Sequence, residues 1–266
     1  MGKLYSDKPK YFEIQYLNSR DSILPFLKDF YTPKAGDYVL EIGSSEGGVL
    51  KAFTEIGCIC TGIEIEEART VLANEFMKDE VANGLVKFIN NDIYDIDPAT
   101  VNPKYKLIIL KDVIEHIHHQ EKFMQKIEHF LTEDGMIFFG FPAWTMPYGG
   151  HQQCAKSKLL ANLPYYHLLP KSLYKFILKA FGENDSVIEG LLEIKETGIS
   201  TRRFEKICAE NNFNVLKQVK YFIAPIYEYK FGVKTRKLWS FVGAIPFIND
   251  FFTFQSYYII KKGTQQ

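Results

Sequence analysis

The sequence is short of cysteine, of net charge and of long apolar runs, and each shortage excludes something. Four cysteines in 266 residues (Cys58, Cys60, Cys154 and Cys208) form neither a disulfide framework nor a zinc pattern, so a reducing, cytoplasmic compartment is expected. Lys+Arg and Asp+Glu both number 32, which leaves no net field to favour nucleic acid or an anionic surface. With no basic patch and no added binding domain in view, a nucleic-acid partner is not expected. No run reaches the ~20 apolar residues of a membrane span. Residues 1–10 are polar and lack the apolar stretch of a signal peptide. Internal repeats and low-complexity tracts are also missing.

What is present is the composition of a chain that buries a full core: 46% hydrophobic and 24% charged residues, with an aromatic fraction of 15%. The periodicity alternates. A leading helix over 11–31, interrupted at Pro25, precedes the short apolar strand 38–42, the glycine-rich segment 43–48 and a helix over 49–56. Strands follow at 58–65, 85–89, 105–110 and 136–141, separated by helical stretches at 66–78 and 120–131. In the last of these Phe123, Ile127, Phe130 and Leu131 share one face. The run Leu107-Ile108-Ile109-Leu110 has the character of a strand buried on both sides. Five strands alternating with helices predict an α/β fold, a doubly wound, mostly parallel sheet.

The rhythm breaks at Pro142. Residues 143–197 read as a helical insertion, with Leu173, Phe176, Ile177, Ala180 and Phe181 on the buried face of one helix. It resumes with a helix over 201–211 capped by Ser200, a strand over 215–222, a long excursion over 223–254 and a last strand over 256–261. Two parts are expected: a cofactor-binding domain of 1–142 and 198–266, and a lid of 143–197 over an acceptor site.

The chemistry concentrates at the strand ends. Gly43-Ser44-Ser45-Glu46-Gly47-Gly48 enters a helix N-terminus, where free N–H groups and the positive end of the helix dipole face a ligand and glycine permits close approach. Glu41 places a carboxylate in the same crevice. Glu64 ends the second strand 21 residues after Gly43, at the spacing where an acid accepts hydrogen bonds from both ribose hydroxyls.

These residues carry a resemblance. Val39-Leu40-Glu41-Ile42-Gly43-Ser44-Ser45-Glu46-Gly47 resembles the first motif of class I S-adenosylmethionine-dependent methyltransferases. Asn91-Asp92-Ile93, Lys111-Asp112-Val113-Ile114-Glu115-His116-Ile117 and Leu131-Thr132-Glu133-Asp134-Gly135-Met136 are similar to three later motifs, in order. The resemblance implies S-adenosylmethionine as cofactor and a seven-stranded, Rossmann-like sheet whose last strand is antiparallel. It implies cofactor contacts at Glu41, Gly43, Ser45, Gly47, Glu64, Ile65, Asp92, Ile93, Lys111 and Val113. Glu41 would border the methionine end, Glu64 the ribose, Asp92 the adenine amino group and Ile93 the ring. Ser45 stands where the family usually has glycine; a positive φ there costs about 1 kcal/mol, and a negative one frees the hydroxyl for the ligand.

Two other readings of the loop stay open. A nicotinamide-dependent oxidoreductase would use Gly43-x-Ser45-x-x-Gly48, but the replaced glycine is the one that meets the pyrophosphate, and Glu41 would repel it. A scaffold that kept the fold and lost turnover is the other alternative.

The acceptor is expected to be a small molecule, with oxygen and nitrogen both open as the atom methylated. His116 is the first candidate base, followed by His151 and His167 in the insertion, whose Trp144, Tyr148, Tyr165 and Tyr166 suit a lid. Arg202 and Arg203 read as solvated. His116, His118 and His119 lie within one helical turn without a nearby cysteine, and no metal is expected on them. In the stretch 221–254, Lys230, Lys234, Arg236 and Lys237 precede Leu238-Trp239-Ser240-Phe241-Val242-Gly243-Ala244-Ile245-Pro246-Phe247-Ile248. Packing on the sheet or in a dimer is expected there ahead of a membrane surface, although a lipid-linked acceptor would join the two.

Overall fold

The computed structural model describes residues 7–101 and 103–263. Residues 1–6 of the polar N-terminal stretch lie outside the described residues.

The leading helical region divides earlier than Pro25. Helix α1 (Lys8–Asn18) ends in a π-helical turn at Ser19–Ile23, and α2 (Leu24–Leu27) starts anew with Pro25 in its first turn. Proline lacks an N–H to give the preceding turn, and the wide turn absorbs the mismatch. Ser19 in that turn donates its hydroxyl to the carbonyl of Val49 at 2.9 Å, fastening the turn to the first helix of the sheet domain.

The alternation then unfolds as β1 (Tyr38–Ile42), α3 (Gly48–Thr54), β2 (Ile59–Glu64), α4 (Glu67–Phe76), α5 (Lys78–Ala82), β3 (Val86–Asn90), β4 (Tyr105–Lys111), α6 (Gln120–Glu128) and β5 (Leu131–Phe141). The insertion contributes α7 (Lys158–Asn162), α8 (Lys171–Ala180) and α9 (Asp185–Thr197). The chain closes with α10 (Thr201–Glu210), β6 (Phe213–Ile223), α11 (Ile226–Phe231), β7 (Arg236–Lys237), α12 (Ser240–Gly243) and β8 (Gln255–Lys262).

The strand order is β3-β2-β1-β4-β5-β8-β6-β7, with β1 to β5 parallel and β8 antiparallel to both β5 and β6. The sheet is thus the expected doubly wound one, with the last strand inserted antiparallel beside β5. It carries one strand more than the seven expected. The outer edge of β6 offers unpaired ladder groups, and the returning excursion fills two positions of it, pairing Tyr221 with Lys237 and Ile223 with Arg236.

Strand alternation sends successive side chains to opposite faces and so to two cores. Leu40, Ile42, Ile108, Leu110, Phe139 and Phe141 meet α6 and α10 through Phe123, Ile127 and Phe204. Val39, Leu107, Ile109, Phe138 and Ile259 meet the other helical layer through Leu27, Leu50 and Phe53. Glu41 falls on the second face, beneath α1 and α3, because it is two residues from Val39. The predicted face of α6 holds for Phe123 and Ile127, which are fully buried, but the helix stops at Glu128: Phe130 is buried in the turn after it and Leu131, half-buried, already opens β5.

The face predicted for α8 does not hold. Tyr174 and Leu178 point inward, while Leu173, Phe176 and Phe181 stay exposed. The insertion has a core of its own, in which Tyr174 and Leu178 meet Leu160, Ile188 and Leu191, and a one-residue rotation of the helix follows from that local partner.

The excursion packs on the sheet only in part. Ala224, Ile226 and Leu238 are buried and the Trp239 ring lies 5.4 Å from Phe222 of β6, but Trp239, Phe241 and Phe247 are 53%, 71% and 66% exposed, so this aromatic face lies outside the core. Asp250 fastens the segment from behind, accepting from the backbone N–H of Thr201 at 2.9 Å and from its hydroxyl at 2.6 Å. Among the described residues no helix is long and apolar enough to cross a membrane.

Candidate functional site

The carboxyl ends of β1, β2 and β4 open on one side of the sheet, as the switch-point rule for this topology requires. There a cleft with about 480 Å³ of empty space, partly open to solvent, is lined by Glu41, Gly43, Ser45, Val49, Lys111 and Asp112, with Arg69 at its rim.

The glycine-rich turn is built around two left-handed glycines. Gly43 has φ +71°, and a Cβ there would meet the Val113 side chain at 2.5 Å. Its N–H and that of Ser44 both donate to the carbonyl of Ile63, at 2.8 and 3.1 Å. Gly47 has φ +86° and sits against Phe88, which a Cβ would meet at 2.7 Å. Glycine is required at both for backbone sign and space.

Ser45 resolves the question posed by its residue type. Its φ is +50°, so serine carries the ~1 kcal/mol of left-handed strain. Its hydroxyl is also engaged within the protein, donating to Glu46 and accepting from Arg69 Nη1 at 3.2 Å. Glu46 is buried and paired with Lys8 of α1 at 2.6 Å, so the turn is tied to the N-terminal helix.

Glu64 holds the turn from the second strand. One carboxylate oxygen accepts from Ser45 N at 2.8 Å and the other from Glu66 N at 2.9 Å. Each oxygen keeps a lone-pair direction for a ligand. Glu41 is 2% exposed, and its Oε2 has no partner among the described residues. Burial, reinforced by the neighbouring Glu64, pushes its carboxyl well above the usual range against the pull of Lys111.

At the end of β4, Lys111 pairs with Asp112. Asp112 adopts φ +57° and accepts from Gln255 at 3.0 Å. Burial works against its charge, but Lys111 and Gln255 together bring its carboxyl below the usual range.

The remaining expected contacts scatter. Ile65 is exposed just beyond β2. Asp92 lies past β3, where its Oδ1 accepts from Tyr94 N at 2.8 Å. Ile93 is packed in the core with Ile42 and Ile63, and Val113 rests against Gly43.

Among the histidines the structure separates roles that the sequence left together. His167 is fully buried, with Nδ1 3.0 Å from Gln152 and Nε2 2.9 Å from the carbonyl of Trp144. Both ring nitrogens are engaged and burial pushes its pKa down to about 4, so His167 is a packing residue of the insertion and is withdrawn as a base. Tyr166 likewise joins the insertion core against Tyr174. His118 turns outward to Glu193 at 3.1 Å. Arg203 reaches Glu121 at 3.4 Å and Arg202 stacks over Phe247 at 4.7 Å.

His116 and His151 come together instead, with ring centroids 4.9 Å apart. Burial lowers the pKa of both, to about 4 for His151, where the neighbouring His116 adds to the effect. Asp112, which lines the cleft, is near enough to bear on each imidazole. The pair therefore stands beside the cleft.

The roof of the cleft was not legible. Tyr11, Gln15 and Asn18 of α1 and Ile226 of α11 line it. The one local signal was Gly48, whose absent Cβ makes room for the backbone of Phe12 and the side chain of Gln15.

A family model described as a methyltransferase domain matches residues 13–218. Among curated proteins, a tetrahydroprotoberberine N-methyltransferase of Eschscholzia californica is 30% identical over 108 residues, 40% of this chain and 29% of its own length. A ubiquinone biosynthesis O-methyltransferase of Glaesserella parasuis is 25% identical over 116 residues, 43% of this chain and 49% of its own. The chain thus matches less than half the length of either relative. A solved S-adenosylmethionine-dependent methyltransferase of Clostridium acetobutylicum shares the fold at a TM-score of 0.56 and 12% identity, over 93% of this chain and 92% of that one. Its four motifs, the strand order and a family match across most of its length agree: the chain belongs to the methyltransferase-domain family, in the S-adenosylmethionine-dependent class.

Proposed function

We propose that the chain transfers the methyl group of S-adenosylmethionine to a small-molecule oxygen or nitrogen acceptor. The observation that carries this reading is Glu41: a buried carboxylate oxygen without a partner, aimed into a cleft floored by glycine, suits the ammonium of the cofactor's methionine end.

The cofactor brings an activated sulfonium methyl, so the protein's part is alignment and exclusion of water. Glu41 holds the ammonium. Glu64 accepts from the ribose hydroxyls while its backbone donors keep it oriented. Gly43, Ser45 and Gly47 shape the turn that the cofactor crosses, and Lys111 and Val113 border it across from that turn. Ile65, Asp92 and Ile93 belong to the adenine side. In the transfer the acceptor's lone pair forms the new bond to carbon, the C–S electrons stay on sulfur, and any acceptor proton leaves to water or a basic group. His116 and His151 are the polar side chains at the acceptor end, and 143–197 is the lid above it.

The test is calorimetric titration with S-adenosylhomocysteine, with NADH in parallel. Micromolar binding of the first alone is expected; equal binding of NADH would overturn the reading. A proton should also be released. Glu41 is raised in the free protein, and a bound ammonium favours its charged form, so its pKa falls on binding. Between the two values binding strengthens as pH rises. Heats measured in two buffers of different ionisation enthalpy should differ, and Glu41→Gln should abolish the difference; heats independent of buffer would count against Glu41 as the ammonium's partner.

A lipid-linked acceptor is supported by the exposed Trp239, Phe241 and Phe247 beside exposed Arg236 and Lys237. Flotation with anionic liposomes is expected, lost in the double variant Phe241→Asp, Phe247→Asp. A wild-type chain that stays at the bottom of the gradient would remove the lipid and leave methyl transfer standing.

A further inference from the structure

Glu115 follows β4 by four residues and is buried, at 4% exposure. Neither of its carboxylate oxygens has a hydrogen-bond partner among the described residues. A carboxylate in that state is costly, and buried polar groups of proteins are ordinarily met by a donor, a water or an ion. Its surroundings are not random. One donor atom each from Glu115, His116 and His151 lie within 4.8 Å of one another. His116 and Glu115 come from the turn after β4, whereas His151 comes from the start of the insertion.

We propose that Glu115, His116 and His151 form a binding site for one divalent transition-metal ion. Two imidazoles and a carboxylate are the donor set that suits first-row ions such as Zn²⁺, Co²⁺ or Mn²⁺ rather than Mg²⁺, which prefers oxygen throughout. Donors on a tetrahedral ion bonded at about 2.1 Å lie about 3.4 Å apart, so a trio within 4.8 Å of one another draws together by about an ångström on binding, within the reach of side-chain rotation. Three protein ligands leave a coordination position open, and the exposure of His116 beside the buried Glu115 gives solvent or a ligand a way to it.

Its position gives the ion a use. Asp112 lines the cofactor cleft and precedes Glu115 and His116 in the same turn after β4. An ion held there offers its open position to an acceptor oxygen and lowers the pKa of a bound hydroxyl. This deepens the proposed function toward oxygen acceptors and rests on it for that step; the ion site itself does not. On this view His116 and His151 act as ligands, and the acceptor's proton passes to water.

The experiment uses the chelator-treated full chain, without a histidine tag, titrated with Co²⁺ by calorimetry and by its visible spectrum. One equivalent should bind and develop ligand-field bands, with Mg²⁺ failing to compete. Glu115→Gln and His151→Ala should each weaken Co²⁺ by at least about tenfold, since even outer-shell changes cost that much. His118→Ala, two residues from His116 but turned outward to Glu193 and outside the cluster, should leave it unchanged. Should Glu115→Gln fail to fold by circular dichroism, His151→Ala decides. No stoichiometric binding, or binding indifferent to the variants at 115 and 151, would overturn the site. S-adenosylhomocysteine titrated into the same samples separates the two claims: cofactor binding without the ion sinks only the metal site, and the reverse sinks only methyl transfer.

Discussion

Replacing Glu64 with alanine is expected to weaken S-adenosylhomocysteine binding by at least about a hundredfold. Each hydrogen bond to a charged acceptor contributes about 1.5–3 kcal/mol, and two ribose hydroxyls lost together amount to ~3 kcal/mol or more, where 1.4 kcal/mol is tenfold. A second loss adds to the first. Glu64 also accepts from Ser45 N and Glu66 N, so its removal frees a turn already held at a positive φ by a serine. Glu64→Gln retains one acceptor oxygen but turns an N–H toward a backbone donor, and an intermediate affinity is expected from it. Calorimetry on the three proteins checks the order, with thermal unfolding of each free protein beside it. Unchanged affinity in Glu64→Ala would remove Glu64 from the cofactor site.

The second large effect belongs to Gly48. Its φ is ordinary for any residue, so alanine strains no backbone there, but the added Cβ would lie 2.4 Å from the carbonyl oxygen of Phe12 and 2.7 Å from Gln15 Cβ. The first is main chain and has no rotamer to move to, so α1 must shift away from α3. Overpacking of this kind costs about 1–3 kcal/mol, and for a chain of this size each kcal/mol lowers Tm by roughly 2–4 °C. Cofactor affinity should fall as well, because Tyr11, Gln15 and Asn18 of the displaced helix line the cleft. The two readouts separate α1 as roof from α1 as mere packing: a lowered Tm with unchanged S-adenosylhomocysteine affinity would leave the helix structural only.

The cofactor end and the acceptor end of this site were legible to different degrees. Glu41, Gly43 and Glu64 stood out because their placement depends on local facts, namely a strand end, a turn and a helix start within a few residues. The parallel direction of β1 to β5 followed from alternation alone, while their order across the sheet did not. Gly47 needed only its chain neighbours to be recognised. His167, by contrast, offered the same side chain as His151, and only its full burial and two engaged nitrogens distinguish them.

The sequence by itself determined the doubly wound sheet and the floor of the cofactor cleft, because periodicity and turn chemistry act over a few residues; the antiparallel last strand followed only from the resemblance of its motifs to the methyltransferase class. Tertiary structure alone decided what covers that floor and what faces the acceptor. Helix α1 roofs the cleft through contacts between residues more than thirty positions apart, such as Lys8 with Glu46. The inward face of α8 was set by the insertion's own core. His151 reaches Glu115 and His116 only because the insertion folds back beside β4. Burial and long-range approach are properties of the whole packed chain, and no local pattern encodes them.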